Sequence, residues 1–162
     1  MENASKNKSV RAIPEGYQTV TPYLVVENAQ GLIDFIKNVF DGKETFNFKR
    51  DDNKIMHATV SIGGSIVMIS DTMEGMPAQT SMLYLYLEDA DSVFRKAVQA
   101  NATSVREPVT EFYGDRASAV KDQWGNMWWM ATHVEDVDQQ ELERRAAEAM
   151  KIQKEKGDEV HA

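Results

Sequence analysis

The chain has 162 residues, 42% hydrophobic and 27% charged, the make-up of one ordinary globular domain with enough apolar mass for a real core. It holds no cysteine, which excludes disulfides, thiolate metal sites and a cysteine nucleophile and fits a reducing, cytoplasmic setting. A formal net charge of −8 argues against nucleic acid as a partner, because phosphate binding needs a basic face, and leaves a surface compatible with cationic ligands.

In chain order, residues 1–14 are polar and lack the apolar stretch of an export signal, so they read as a flexible arm. No apolar run approaches the roughly 18 residues of a membrane span. The segment Tyr23-Leu-Val-Val-Glu-Asn-Ala29 predicts a strand that enters a helix over about Ala29–Phe40. Leu32, Ile33, Ile36 and Phe40 fall at helical spacing, Asn28 sits at the N-cap and Gly42 marks the stop. Three strands follow, about Glu44–Arg50, Ile55–Ile62 and Ser65–Ser70, separated by Asp51-Asp-Asn and Gly63-Gly64. Residues 72–80 form a linker.

The same order then recurs. Tyr84-Leu-Tyr-Leu-Glu-Asp-Ala90 repeats the first strand 61 residues on, and a helix over about Ala90–Ala100 follows, capped by Asp89 and stopped by Asn101. Strands at about Ser104–Glu107, Arg116–Asp122 and Asn126–His133 close the second copy, and the same offset pairs Gly64 with Gly125 before each last strand. The fold class is therefore α+β: two tandem βαβββ modules, about 15–71 and 81–136, in a single domain over 15–136. Two such modules predict a curved, half-open barrel with a ligand cavity on its concave side. A charged helix over 137–157, capped by Asp138 and with Leu142, Ala146, Ala149 and Met150 as its apolar stripe, precedes a short tail at 158–162.

These residues carry a likeness. Pro22-Tyr-Leu-Val-Val, Ile33-Asp-Phe, Ile55-Met-His-Ala and Ile66-Val-Met-Ile-Ser-Asp71 resemble the first module of the vicinal-oxygen-chelate superfamily, of glyoxalase, bleomycin-resistance and dioxygenase type, in its PhnB-like branch. Gly114-Asp-Arg, Lys121-Asp-Gln-Trp-Gly and Trp128-Trp-Met-Ala-Thr-His133 resemble the end of the second. The resemblance implies four metal-ligand positions, one on the first and one on the last strand of each half. They fall at Thr21, Met68, Met82 and Trp129. A tryptophan has no lone pair to give, a neutral threonine hydroxyl is a poor ligand and two methionine thioethers do not suit Zn, Ni, Fe or Mn, so no metal and no cofactor are expected.

Strand alternation adds Tyr23, Tyr84, Tyr86, His57 and Arg116 to the same concave surface, with Met56, Ala58, Val60 and Ile62 turned toward the helices and Ser118 facing His57 across the repeat. The rings offer stacking surfaces or a seat for a cation, and His57 and Arg116 could orient an anionic group. The expected function is binding of a small aromatic or cationic molecule, the residues being Thr21, Tyr23, His57, Met68, Met82, Tyr84, Tyr86, Arg116 and Trp129. Two alternatives stay open. One is a lyase, isomerase or dioxygenase with a relocated site, His57 acting with Asp71 or Arg116. The other is a filled-barrel assembly or regulatory module. His133, beside Glu135 and Asp136, reads as solvated, and His161 lies in the tail. The resemblance also implies a homodimer.

Overall fold

The computed structural model describes residues 10–160, and the chain divides into two compact units between Gln79 and Thr80. Residues 1–9 of the expected arm and residues 161–162 of the tail, His161 among them, lie outside the described residues.

In the first unit, β1 (Tyr23–Val26) leads into α1 (Ala29–Phe40), followed by β2 (Lys43–Lys49), β3 (Ile55–Ile62) and β4 (Ser65–Asp71). The strands lie in the order β1-β4-β3-β2, with β1 parallel to β4 and the other pairs antiparallel. The second unit repeats this with β5 (Met82–Tyr86), α2 (Ala90–Gln99), β6 (Thr103–Thr110), β7 (Asp115–Lys121) and β8 (Met127–His133), in the order β5-β8-β7-β6. The repeat reaches the register: Tyr23 lies opposite Met68 in one sheet and Tyr84 opposite Trp129 in the other.

Each helix covers one sheet face. Leu32, Ile33, Ile36 and Val39 of α1 are fully buried with Leu24, Val60 and Ile69, and Phe94 and Ala97 of α2 with Val120, Trp128 and Met130. Both helix starts use one device. The Ala29 N–H donates to the Asp71 carboxylate at 3.0 Å, and the Ala90 N–H donates to the Thr132 hydroxyl at 3.0 Å. Asn28 and Asp89 act as the expected caps, accepting from Gly31 and Ser92. α3 (Gln139–Val160) begins on Asp138, which accepts from the Glu141 N–H.

Local expectations shift at four places. The residue that leaves α1 in the left-handed conformation is Asp41, not Gly42; a Cβ at Gly42 would collide with Ile36. In the β3–β4 turn the left-handed glycine is Gly63 rather than Gly64. Met56 is exposed, and Ile55 is the buried residue at that end of β3.

The fourth shift has the largest consequence. Ile62 pairs with Ser65 across a two-residue turn, whereas Lys121 pairs with Met127 across a longer one in which Asp122 hydrogen-bonds Asn126 around Gln123-Trp124-Gly125. The second hairpin carries one extra residue. The offset of 61 therefore holds for β8 but slips by one in β7, and a one-residue slip sends every side chain to the other face. Ser118 lies opposite buried Met130 on the helix side, and Arg116 turns toward α2.

Candidate functional site

The chemistry-bearing side chains collect on the face of each sheet turned away from its helix. In the first unit, Phe46 pairs with Thr59, Thr59 with Met68 and Met68 with Tyr23, so these four form one row across the sheet. Phe48 and His57 form the adjoining row. His57 lies between two rings, 5.7 Å from Tyr23 and 6.0 Å from Phe46 by centroid, and its Nδ1 is 3.4 Å from the Tyr23 hydroxyl. Two open hollows adjoin this face. Thr21 and Met68 line one of about 500 Å³ with Ile13, Pro14 and Tyr17. Thr59, Ser61, Ile66 and Phe46 line another of about 590 Å³, again with Tyr17.

The second unit presents an aromatic floor. The Tyr84 and Trp129 rings are stacked, 7° from parallel with centroids 6.2 Å apart, and Tyr86 lies 5.4 Å from Tyr84. Met82 opens the same face, opposite Met127. The Tyr86 hydroxyl donates to buried Asp115 at 2.8 Å, and this bond holds the phenol above its usual pKa. Burial, with Tyr113 beside it, raises Tyr84 as well. Asp115 also meets His133 Nδ1 at 2.8 Å, while His133 Nε2 meets Asp136 at 2.9 Å. His133 is therefore tied between two carboxylates, which raise its pKa, rather than merely solvated.

Of the residues expected in the site, Thr21, Tyr23, His57 and Met68 share the face of the first unit, and Met82, Tyr84, Tyr86 and Trp129 share that of the second. Arg116 joins neither. Its Nε and a terminal nitrogen grip Asp91 of α2 at 2.9 and 2.8 Å, on the opposite side of the β7 sheet. Sequence reading missed Phe46 and Phe48, whose alternation along β2 was a usable signal. It also missed Arg106, whose guanidinium lies 5.9 Å from the centre of the Trp129 ring and pairs with Glu111.

The Lys121-Asp-Gln-Trp-Gly motif turns out to be structural. Asp122 accepts from the Trp124 and Asn126 N–H groups, from the Asn126 amide and from the Trp128 indole, all between 2.8 and 2.9 Å. Asn126 in turn accepts from the Ser81 N–H and ties β5 to the turn before β8.

The model of the Glyoxalase/Bleomycin resistance protein/Dioxygenase superfamily matches residues 17–130. The chain belongs to this superfamily. A relative from Mycobacterium bovis, an uncharacterized protein, is 31% identical over 135 residues, 76% of this chain and 89% of that one. Among solved structures, TioX from a Micromonospora species matches with a TM-score of 0.62 at 22% identity, covering 72% of this chain and 99% of its own. The PhnB protein from Bacillus cereus matches at 0.56 and 20% identity, covering 71% and 99%.

The metal-ligand positions that the family resemblance implies are Thr21, Met68, Met82 and Trp129. The Thr21 hydroxyl donates to the Gln18 carbonyl at 3.0 Å, and Trp129 presents its ring to Tyr84 and Arg106. One hydroxyl, two thioethers and an indole do not fit a hard or borderline divalent ion. Among the described residues no three His, Asp or Glu side chains are grouped as metal ligands.

Proposed function

We propose that this superfamily member binds a small aromatic or cationic molecule without the divalent-metal centre of its enzymatic relatives. The observation that carries the reading is the Tyr84–Trp129 stack on a sheet face that stays open: Tyr84 is 44% exposed, Tyr86 67% and Met82 70%. Large apolar side chains grouped on an open face mark a binding surface in a folded protein, because burying them on a ligand or partner is the favourable outcome. The same exposure weighs against a barrel filled by its own side chains.

The rival reading, a lyase, isomerase or dioxygenase worked by His57 with Asp71 or Arg116, loses its partners. Asp71 is engaged by the Ala29 and Ile55 N–H groups, and Arg116 by Asp91. We also propose a cytoplasmic setting, in keeping with the lack of cysteine, and a homodimer, as the family resemblance implies.

Native mass spectrometry with metal analysis on one purified sample tests the reading. The expected result is a metal-free chain, or one that releases an organic compound on denaturation. One tightly held divalent ion per chain, with turnover that scales with added Ni, Zn, Fe or Mn, would overturn it.

A further inference from the structure

We propose that Arg106 is a built-in stand-in for the ligand. Its guanidinium holds the place that a planar, delocalised cation takes on the Trp129 face, with Glu111 as the counter-ion. The inference rests on the reading of this face as a binding surface and names the ligand's chemical class.

Arg106 stands on β6 opposite Ala119, a residue too small to support it from below. The β6–β7 register breaks on both sides of it, between Ser104 and Arg106 and again between Arg106 and Val109. Such breaks re-aim a side chain out of the regular ladder and are over-represented beside functional sites. Here the guanidinium lies within cation–π distance of Trp129, whose plane is fixed by the parallel Tyr84 ring.

The two partners of that guanidinium are unequally placed. The Arg106 side chain is 44% exposed, whereas Glu111 is 14% exposed. Arg106 can swing into water at the cost of one flexible side chain. Glu111 cannot follow, and a mostly buried carboxylate left without a cation is costly. Whatever displaces Arg106 must therefore bring a positive charge of its own. It must also be flat, to gain contact with the indole. An anion would gain nothing from Glu111, and a neutral ring would leave that carboxylate unpaired. Asp115, on the same face and engaged by Tyr86 and His133, adds a second negative group.

The test uses the full chain and two fluorescent probes, berberine as a planar aromatic cation and anilinonaphthalene sulfonate as an aromatic anion. Binding is titrated for wild type, Arg106→Ala, Glu111→Gln and Trp129→Ala, with circular dichroism melts to confirm that each variant is folded. Removing the competing guanidinium should tighten berberine about tenfold in Arg106→Ala. Glu111→Gln should weaken it about tenfold in the Arg106→Ala background and less in the wild type, where the same change also releases the competing guanidinium. The anion should not gain from either change. If Arg106→Ala weakens berberine, or if only the sulfonate binds and loses affinity without Arg106, then Arg106 is not a stand-in for a cation and the proposal fails while the face remains a binding surface. If neither probe's binding depends on Trp129, the reading of the face as a binding surface fails with it.

Discussion

Asp122 accepts from four donors on two carboxylate oxygens at a position 5% exposed. An isosteric Asp122→Asn change keeps the volume but turns an amide donor toward donors, so it should destabilise the fold by about 3 kcal/mol, read by urea unfolding. A cost below about 1 kcal/mol would mean that the turn holds its shape without these bonds. His133 makes a prediction of opposite pH sense from the usual carboxylate. Bonds to Asp115 and Asp136 raise its folded pKa above the ordinary 6.5. Its contribution is thus complete below the unfolded value and is lost as pH rises through the folded one. The urea midpoint of the wild type should fall relative to His133→Gln as pH is taken from 6 to 9. Parallel curves for the two proteins across that range would show that the two carboxylates contribute nothing through this imidazole. The pairing was hard to read from sequence because Asp115 and His133 are 18 residues apart and meet only through the β7–β8 register.

At the scale of elements, the helix starts compare two solutions to one problem. Asp71 satisfies N–H groups of both Ala29 and Ile55 while placing a negative charge at the positive end of α1; Thr132 serves the Ala90 N–H alone and donates to the Leu87 carbonyl. Asp71→Ala should cost about 3 kcal/mol and Thr132→Val about 1 kcal/mol by the same unfolding measurement. Equal costs would mean that the charge and the second bond add nothing. The helices themselves were legible, since Leu32, Ile33 and Ile36 carry the period and Asn28, Asp89 and Asn101 the punctuation. The faces of the strands were legible only as far as the register was. Tyr84 and Trp129 were placed correctly because β5 and β8 keep the repeat offset. Arg116 and Ser118 were not, because an extra turn residue is invisible to an offset taken from the flanking segments. Gly125 marks that turn: its φ is +87° and a Cβ there would meet the Thr80 methyl. Gly125→Ala should cost about 1–2 kcal/mol. Arg106 was missed for a related reason, since its aim depends on irregular pairing in β6 that no periodicity encodes.

At the scale of the whole molecule, the repeat specifies the fold twice over, while the proposed function rests on side chains that the repeat does not keep: Thr21 and Met68 in one unit become Met82 and Trp129 in the other. That is why the superfamily was legible and the ligand was not. The proposed homodimer adds a test that depends on the complete chain. Each subunit carries a formal charge of −8, so association brings like charges together. Screening strengthens with salt, the Debye length falling from about 30 Å at 0.01 M to about 10 Å at 0.1 M. Light scattering at 0.1 M salt should give about twice the 18.3 kDa of one chain, with the population moving toward the monomer as salt is withdrawn. A dimer that ignores salt would place the contact on a surface with locally balanced charge. A monomer at every ionic strength would remove the dimer and leave the exposed Tyr86 and Met82 to a ligand alone.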